Sequence, residues 1–109
     1  MHPLLLRSLP QITALCQAHG VLQLELFGSA ATDDFQPECS DVDFLVELDP
    51  HMPGSRARRW IALAEALEQL LDRHVDLVNP RYIRNPYFLE AVNASRTPLY
   101  ARQVSQVAA

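Results

Sequence analysis

An Asp-x-Asp pair opening an otherwise apolar run, Asp41-Val42-Asp43-Phe44-Leu45-Val46, constrains this chain more than any other feature. Side chains alternate between faces in an extended segment, so Asp41 and Asp43 project on one side with Cα atoms roughly 6.5 to 7 Å apart. Val42, Phe44, Val46 and Leu48 then share the opposite side, which a core must cover. The chain is held to a fold in which one sheet face packs against helices while the other begins with carboxylates. Two like charges about 4 Å apart repel by about 4 kcal/mol at an effective dielectric of 20, so a cation between them is expected. A divalent metal meets that need.

Flanking segments supply the rest of a sheet. Val21 to Phe27 sets Leu22, Leu24 and Leu26 against Gln23 and Glu25, which reads as a strand delivering the chain to Gly28-Ser29. His74-Val75-Asp76-Leu77-Val78 is short, apolar and β-branched, and Asn79-Pro80 stops it; it reads as a third strand carrying one acid, Asp76. Ser8-Leu9-Pro10 predicts a helix entry, with Ile12, Leu15, Cys16 and His19 on one stripe and Gly20 at the end. Ser55 caps a second helix running to about Arg73, whose buried stripe is Trp60, Leu63, Ala64, Leu67, Leu70 and Leu71. Beyond it, Arg81 to Ala94 is weakly helical despite Pro86, and Thr97 to Ala101 is either an edge strand or a trailing segment. These elements predict an α/β fold, a mixed sheet flanked by helices with the acids at one sheet end, and residues 1–109 as a single domain.

Composition bounds the function. A chain of 109 residues that is 49% hydrophobic can build its own core. No apolar run approaches the roughly 20 residues of a membrane span, and the segment before Pro10 makes a poor signal peptide, so a cytoplasmic protein is expected. The net charge of -4 argues against broad contact with nucleic acid, which normally needs a basic face. Cys16 and Cys39 are too few for a disulfide framework or a zinc site and read as core filler and loop residue. All nine basic residues are arginine. Arg58 and Arg59 fall early in the Ser55 helix, where the dipole disfavours positive charge, and are candidates to meet phosphate or an acidic partner. His74 is set aside from the catalytic set, because a helix C-terminus favours histidine without any chemical duty.

If Asp76 lies beside the strand of Asp41 and Asp43, three carboxylates meet at one sheet end. That is enough to hold two magnesium ions roughly 3.5 to 4 Å apart, the arrangement that stabilises attacking and leaving oxygens in phosphoryl displacement. Gly28 and Ser29 supply the other half: a residue without Cβ lets backbone approach phosphate, and a helix start offers N–H groups and a hydroxyl.

The ordered set Leu26-Phe27-Gly28-Ser29-Ala30-Ala31, Ser40-Asp41-Val42-Asp43-Phe44-Leu45-Val46-Glu47 and Val75-Asp76-Leu77-Val78 resembles the three motifs of the DNA polymerase β-like nucleotidyltransferase superfamily. Within it the chain is similar to the minimal nucleotidyltransferases, the antitoxin branch found beside HEPN-domain toxins, and Pro98-Leu99-Tyr100 resembles their usual tail. The resemblance implies that Gly28 and Ser29 bind triphosphate, that Asp41 and Asp43 ligate magnesium, and that Asp76 completes a metal site and helps deprotonate the attacking hydroxyl. It further implies transfer of AMP from ATP to a tyrosine hydroxyl of a HEPN ribonuclease, which the modification silences. The chain departs from the pattern after Gly28-Ser29, where many members carry arginine and this one has Ala30, Ala31 and Thr32. Two other functions are weighed against this: an antitoxin that only occludes its toxin, and nucleotidylation of a small molecule such as an aminoglycoside.

Overall fold

The computed structural model describes residues 2–32, 35–36 and 41–102. Cys39 and Ser40 lie outside that set. The strands form one four-stranded sheet in the order β3-β2-β1-β4, with β1 Val21–Phe27, β2 Val42–Leu48, β3 Val75–Val78 and β4 Thr97–Ala101. β1 runs antiparallel to both β2 and β4, whereas β2 and β3 are parallel and are joined across the sheet by helix α2, Arg56–Leu71. The sheet is mixed and helices cover both faces.

Alternation decides which side chains meet the helices. Leu24 and Leu26 of β1, Val42, Phe44 and Val46 of β2 and Val75 of β3 are buried in one cluster with Leu5, Ile12 and Cys16 of α1, Pro3–Ala18, and Leu63, Leu67 and Leu71 of α2. Phe27, Leu45 and Val92 form a smaller cluster on the other face, beneath α3, Pro86–Ser95. This second cover buries Glu25, which lies on the face of β1 that sequence alternation marks as polar. Its carboxylate accepts two hydrogen bonds from Arg96, at 3.0 and 2.7 Å. A buried carboxylate so paired keeps its charge satisfied.

Two helix starts differ from the expected ones. α1 begins at Pro3, capped by the His2 ring, and Pro10 sits inside it. Pro10 and Leu6 both face solvent, so the carbonyl of Leu6, which loses its N–H partner, can take water, while burial of Leu5 holds the extra turn. Pro86 opens α3 rather than interrupting a helix, because the Asn85 side chain accepts from the N–H groups of Tyr87 and Phe88 and proline suits a first turn. A short 3-10 turn, Pro80–Tyr82, precedes it. Thr97–Ala101 is an edge strand beside β1.

Candidate active site

Strand register places the acids. Phe27 pairs with Asp43 across β1 and β2, and Asp43 pairs with Asp76 across β2 and β3, so three adjacent strands bring Gly28, Asp43 and Asp76 to the same sheet end. Parallel pairing keeps Asp43 and Asp76 on one face, the face opposite the α1 and α2 core. Asp41 precedes β2 on that same side, and its carboxylate joins that of Asp76 and the His74 ring in a cluster whose ligand atoms all lie within 4.8 Å of one another. Of the three expected acids, Asp41 and Asp76 share this cluster with His74, and Asp43 stands opposite Asp76 in the adjoining strand.

Electrostatics registers the crowding. The Asp43 carboxyl is pushed above its ordinary value, first by burial, then by the charge of Asp76 and a hydrogen bond with it, and then by Asp41; His74 opposes the rise. Two carboxyl groups can share a hydrogen bond only if one holds a proton. A cation would remove that requirement by stabilising the ionised forms of all three. Carboxylate oxygens are also the donors that magnesium takes, so the donor chemistry fits such an ion.

Gly28 is required by shape as well as by backbone. Its φ is +70°, and a Cβ there would sit 2.9 Å from Oδ2 of Asp43. Any other residue would strain the turn and push the carboxylate aside. The Gly28–Ala31 segment is a four-residue 3-10 turn rather than an α-helix start. Its first amide is not free for phosphate, since Gly28 N–H donates to Oγ of Ser95 at 2.8 Å. Ser29 is partly exposed, and its carbonyl accepts from both the N–H and the hydroxyl of Thr32.

Two residues here lie outside the set expected from sequence, Ser95 unmarked and His74 set aside. Ser95 had no signal, because its contact spans 67 positions. His74 had one: it lies two residues before Asp76, on the same face of an extended segment, with Nδ1 3.6 Å from Asp41 and 3.7 Å from Asp76. Arg59 is not a phosphate ligand; its guanidinium donates to the carbonyls of His19 and Asp49 and ties α2 to the loops flanking β1 and β2. Arg58 is exposed. A groove of about 740 Å³ lies along the later residues of β3, between Trp60 and Phe88, but none of the acids lines it.

A family model described as a nucleotidyltransferase domain matches residues 11–99, which contain both acid-bearing strands and the Gly28 turn. The chain belongs to the nucleotidyltransferase domain family. A Methanocaldococcus jannaschii protein named as a candidate protein adenylyltransferase is 38% identical over 72 residues, covering 66% of this chain and 70% of that one. A solved structure named as a candidate minimal nucleotidyltransferase superposes with a TM-score of 0.68 at 33% identity, over 87% of this chain and 92% of that one. A toxin–antitoxin structure with AMP-PNP gives 0.62 at 26% identity, over 87% of this chain and 74% of that one. These likenesses set the chain among the minimal nucleotidyltransferases, and the mixed sheet with its flanking helices is the fold of that branch.

Proposed function

We propose that this nucleotidyltransferase is an antitoxin that transfers AMP from ATP, with magnesium, to a tyrosine hydroxyl of a HEPN ribonuclease toxin. The observation that carries the reading is the in-register placement of Asp43 and Asp76 beside the Gly28 turn, with Asp41 completing the acidic cluster. Support for the nucleotide and for a toxin partner comes from the similar toxin–antitoxin structure with AMP-PNP, and support for a protein acceptor from the name of the archaeal relative.

Asp41, Asp43 and Asp76 would hold the metal, which when bound offsets charge on the triphosphate and on the attacking and leaving oxygens. The tyrosine oxygen forms a bond to the α-phosphorus as the bond from that phosphorus to the bridging α,β-oxygen breaks, and pyrophosphate leaves. The phenolic proton, held with a pKa of about 10 in water, passes to a carboxylate of the cluster, with Asp76 in that role. Gly28 lets the triphosphate approach backbone, and the Ser29 hydroxyl can donate to it. The cluster is open: the side chains of Asp41 and Asp76 are 56% and 54% exposed, so a protein acceptor can reach it.

A second reading, neutralisation by occlusion with idle acids, is favoured by one observation. Gly28 N–H is engaged by Ser95, and Ala30 and Ala31 carry no side-chain donor, so of these groups only the Ser29 hydroxyl is left for triphosphate. Purified chain incubated with labelled ATP, magnesium and the toxin separates the two. Transfer predicts label on the toxin with the native chain and none with Asp41→Ala. Neutralisation by Asp41→Ala without any label would establish occlusion instead.

A further inference from the structure

His74 leans into the space between two of the acids without hydrogen-bonding either. Its Nδ1 lies 3.6 Å from Oδ2 of Asp41 and 3.7 Å from Oδ1 of Asp76, beyond hydrogen-bond reach of both and almost equidistant from them. Neighbouring donors around a cation bound at about 2.1 Å sit roughly 3.0 to 3.4 Å apart, so Nδ1 is within a few tenths of an ångström of that spacing from each carboxylate, and all three ligand atoms lie within 4.8 Å of one another. The position is also fixed by the chain. His74 O accepts the N–H of Val42, which registers the residue against the start of β2, and the alternation of an extended strand sets its side chain on the face of Asp76.

We propose that His74 is a nitrogen ligand of the metal site, one that shifts the site's preference from magnesium towards divalent ions that accept imidazole, manganese among them. The inference rests on the metal-dependent reading above. Magnesium takes oxygen donors almost exclusively; manganese also favours oxygen but admits imidazole, which the later first-row ions favour. Asp41, Asp43 and Asp76 alone make a hard, all-oxygen site. Adding one neutral nitrogen between Asp41 and Asp76 softens it on that side and leaves Asp43 as the oxygen donor against Gly28.

Calorimetric titration of the full chain with manganese and with magnesium, together with electron spin-echo spectra of bound manganese, tests this. The native chain is expected to bind manganese more tightly than magnesium and to show nitrogen modulation from a coordinated imidazole. His74→Ala should abolish the modulation although three other histidines remain, and should lower the manganese-over-magnesium preference roughly tenfold, the low end of what losing even an outer partner costs a metal site. Its side chain is 58% exposed, so the variant should keep the native unfolding transition, which is recorded alongside. Absence of nitrogen modulation in the native chain with manganese bound, or an unchanged preference in His74→Ala, overturns the inference. If manganese binding is lost in Asp41→Asn but indifferent to His74→Ala, the carboxylate site stands and only the role of His74 falls. If neither ion binds the native chain, the metal reading falls with it.

Discussion

Asp43 is the residue on which binding and stability pull apart. Its carboxyl is raised from the ordinary 3.8 by burial and by its acidic neighbours, so its ionised form costs the metal-free fold. The sign follows: a raised folded value means that the group's stabilising share is complete below the unfolded value and is lost as pH climbs through the folded one. Metal-free protein should therefore become more stable on Asp43→Asn. Solvent screens a partly exposed group, so the gain is under about 1 kcal/mol, or a Tm rise of about 5 °C or less by scanning calorimetry. The same variant should no longer be stabilised by magnesium. Gly28→Ala acts in the opposite sense, because a left-handed φ costs a Cβ-bearing residue about 1–2 kcal/mol before the encounter with Asp43 is counted, and it should lower Tm by several degrees. Cys16, buried in the main core with its thiol pushed up to about 12, should be inert. In a Cys39→Ser background, a disulfide reagent at pH 8 should label it only once denaturant opens the core.

The elements divide by how locally they are specified. β1, β2, β3 and α2 are legible because alternation and helical spacing state their faces outright: Leu24 and Leu26, then Phe44 and Val46, then Leu63, Leu67 and Leu71. The ends of α1 and α3 are less so, since Pro10 reads as an entry but is a tolerated interior residue, and Pro86 reads as an obstacle but is a first-turn residue. What α3 covers is not written locally at all. Glu25 reads as a solvated strand position, and only the arrival of α3 and Arg96, 71 residues later, turns it into a buried ion pair. Breaking such a pair leaves one charge uncompensated, so Arg96→Ala should destabilise by about 3 kcal/mol in urea unfolding. Glu25→Gln with Arg96→Ala should recover part of that loss. Ser95→Ala, which frees Gly28 N–H, should cost about 1 kcal/mol without disturbing the acids.

At the scale of the whole molecule, the sheet end gathers what the chain keeps far apart in sequence. The turn at Gly28, the acids at Asp41 and Asp43 and the acid at Asp76 belong to three successive strands, and antiparallel then parallel pairing is what makes them neighbours. The order of these motifs is legible in the sequence; the position of His74 beside Asp41 and Asp76 is not, because a helix end explains a histidine equally well without chemistry. The net charge of -4 bears on the proposed partner, since an acidic chain is drawn to a basic RNA-binding surface. Association with the toxin, followed by stopped flow, should slow as salt rises, with dissociation much less affected. The most direct measurement is the intact mass of a HEPN toxin co-expressed with the native chain, with Asp76→Asn, and with Glu65→Ala, exposed on α2, as a control. The toxin should be heavier by whole AMP units with the native chain and with Glu65→Ala, and unmodified with Asp76→Asn. A toxin left unmodified by the native chain, or modified equally by Asp76→Asn, would contradict a site built on these acids.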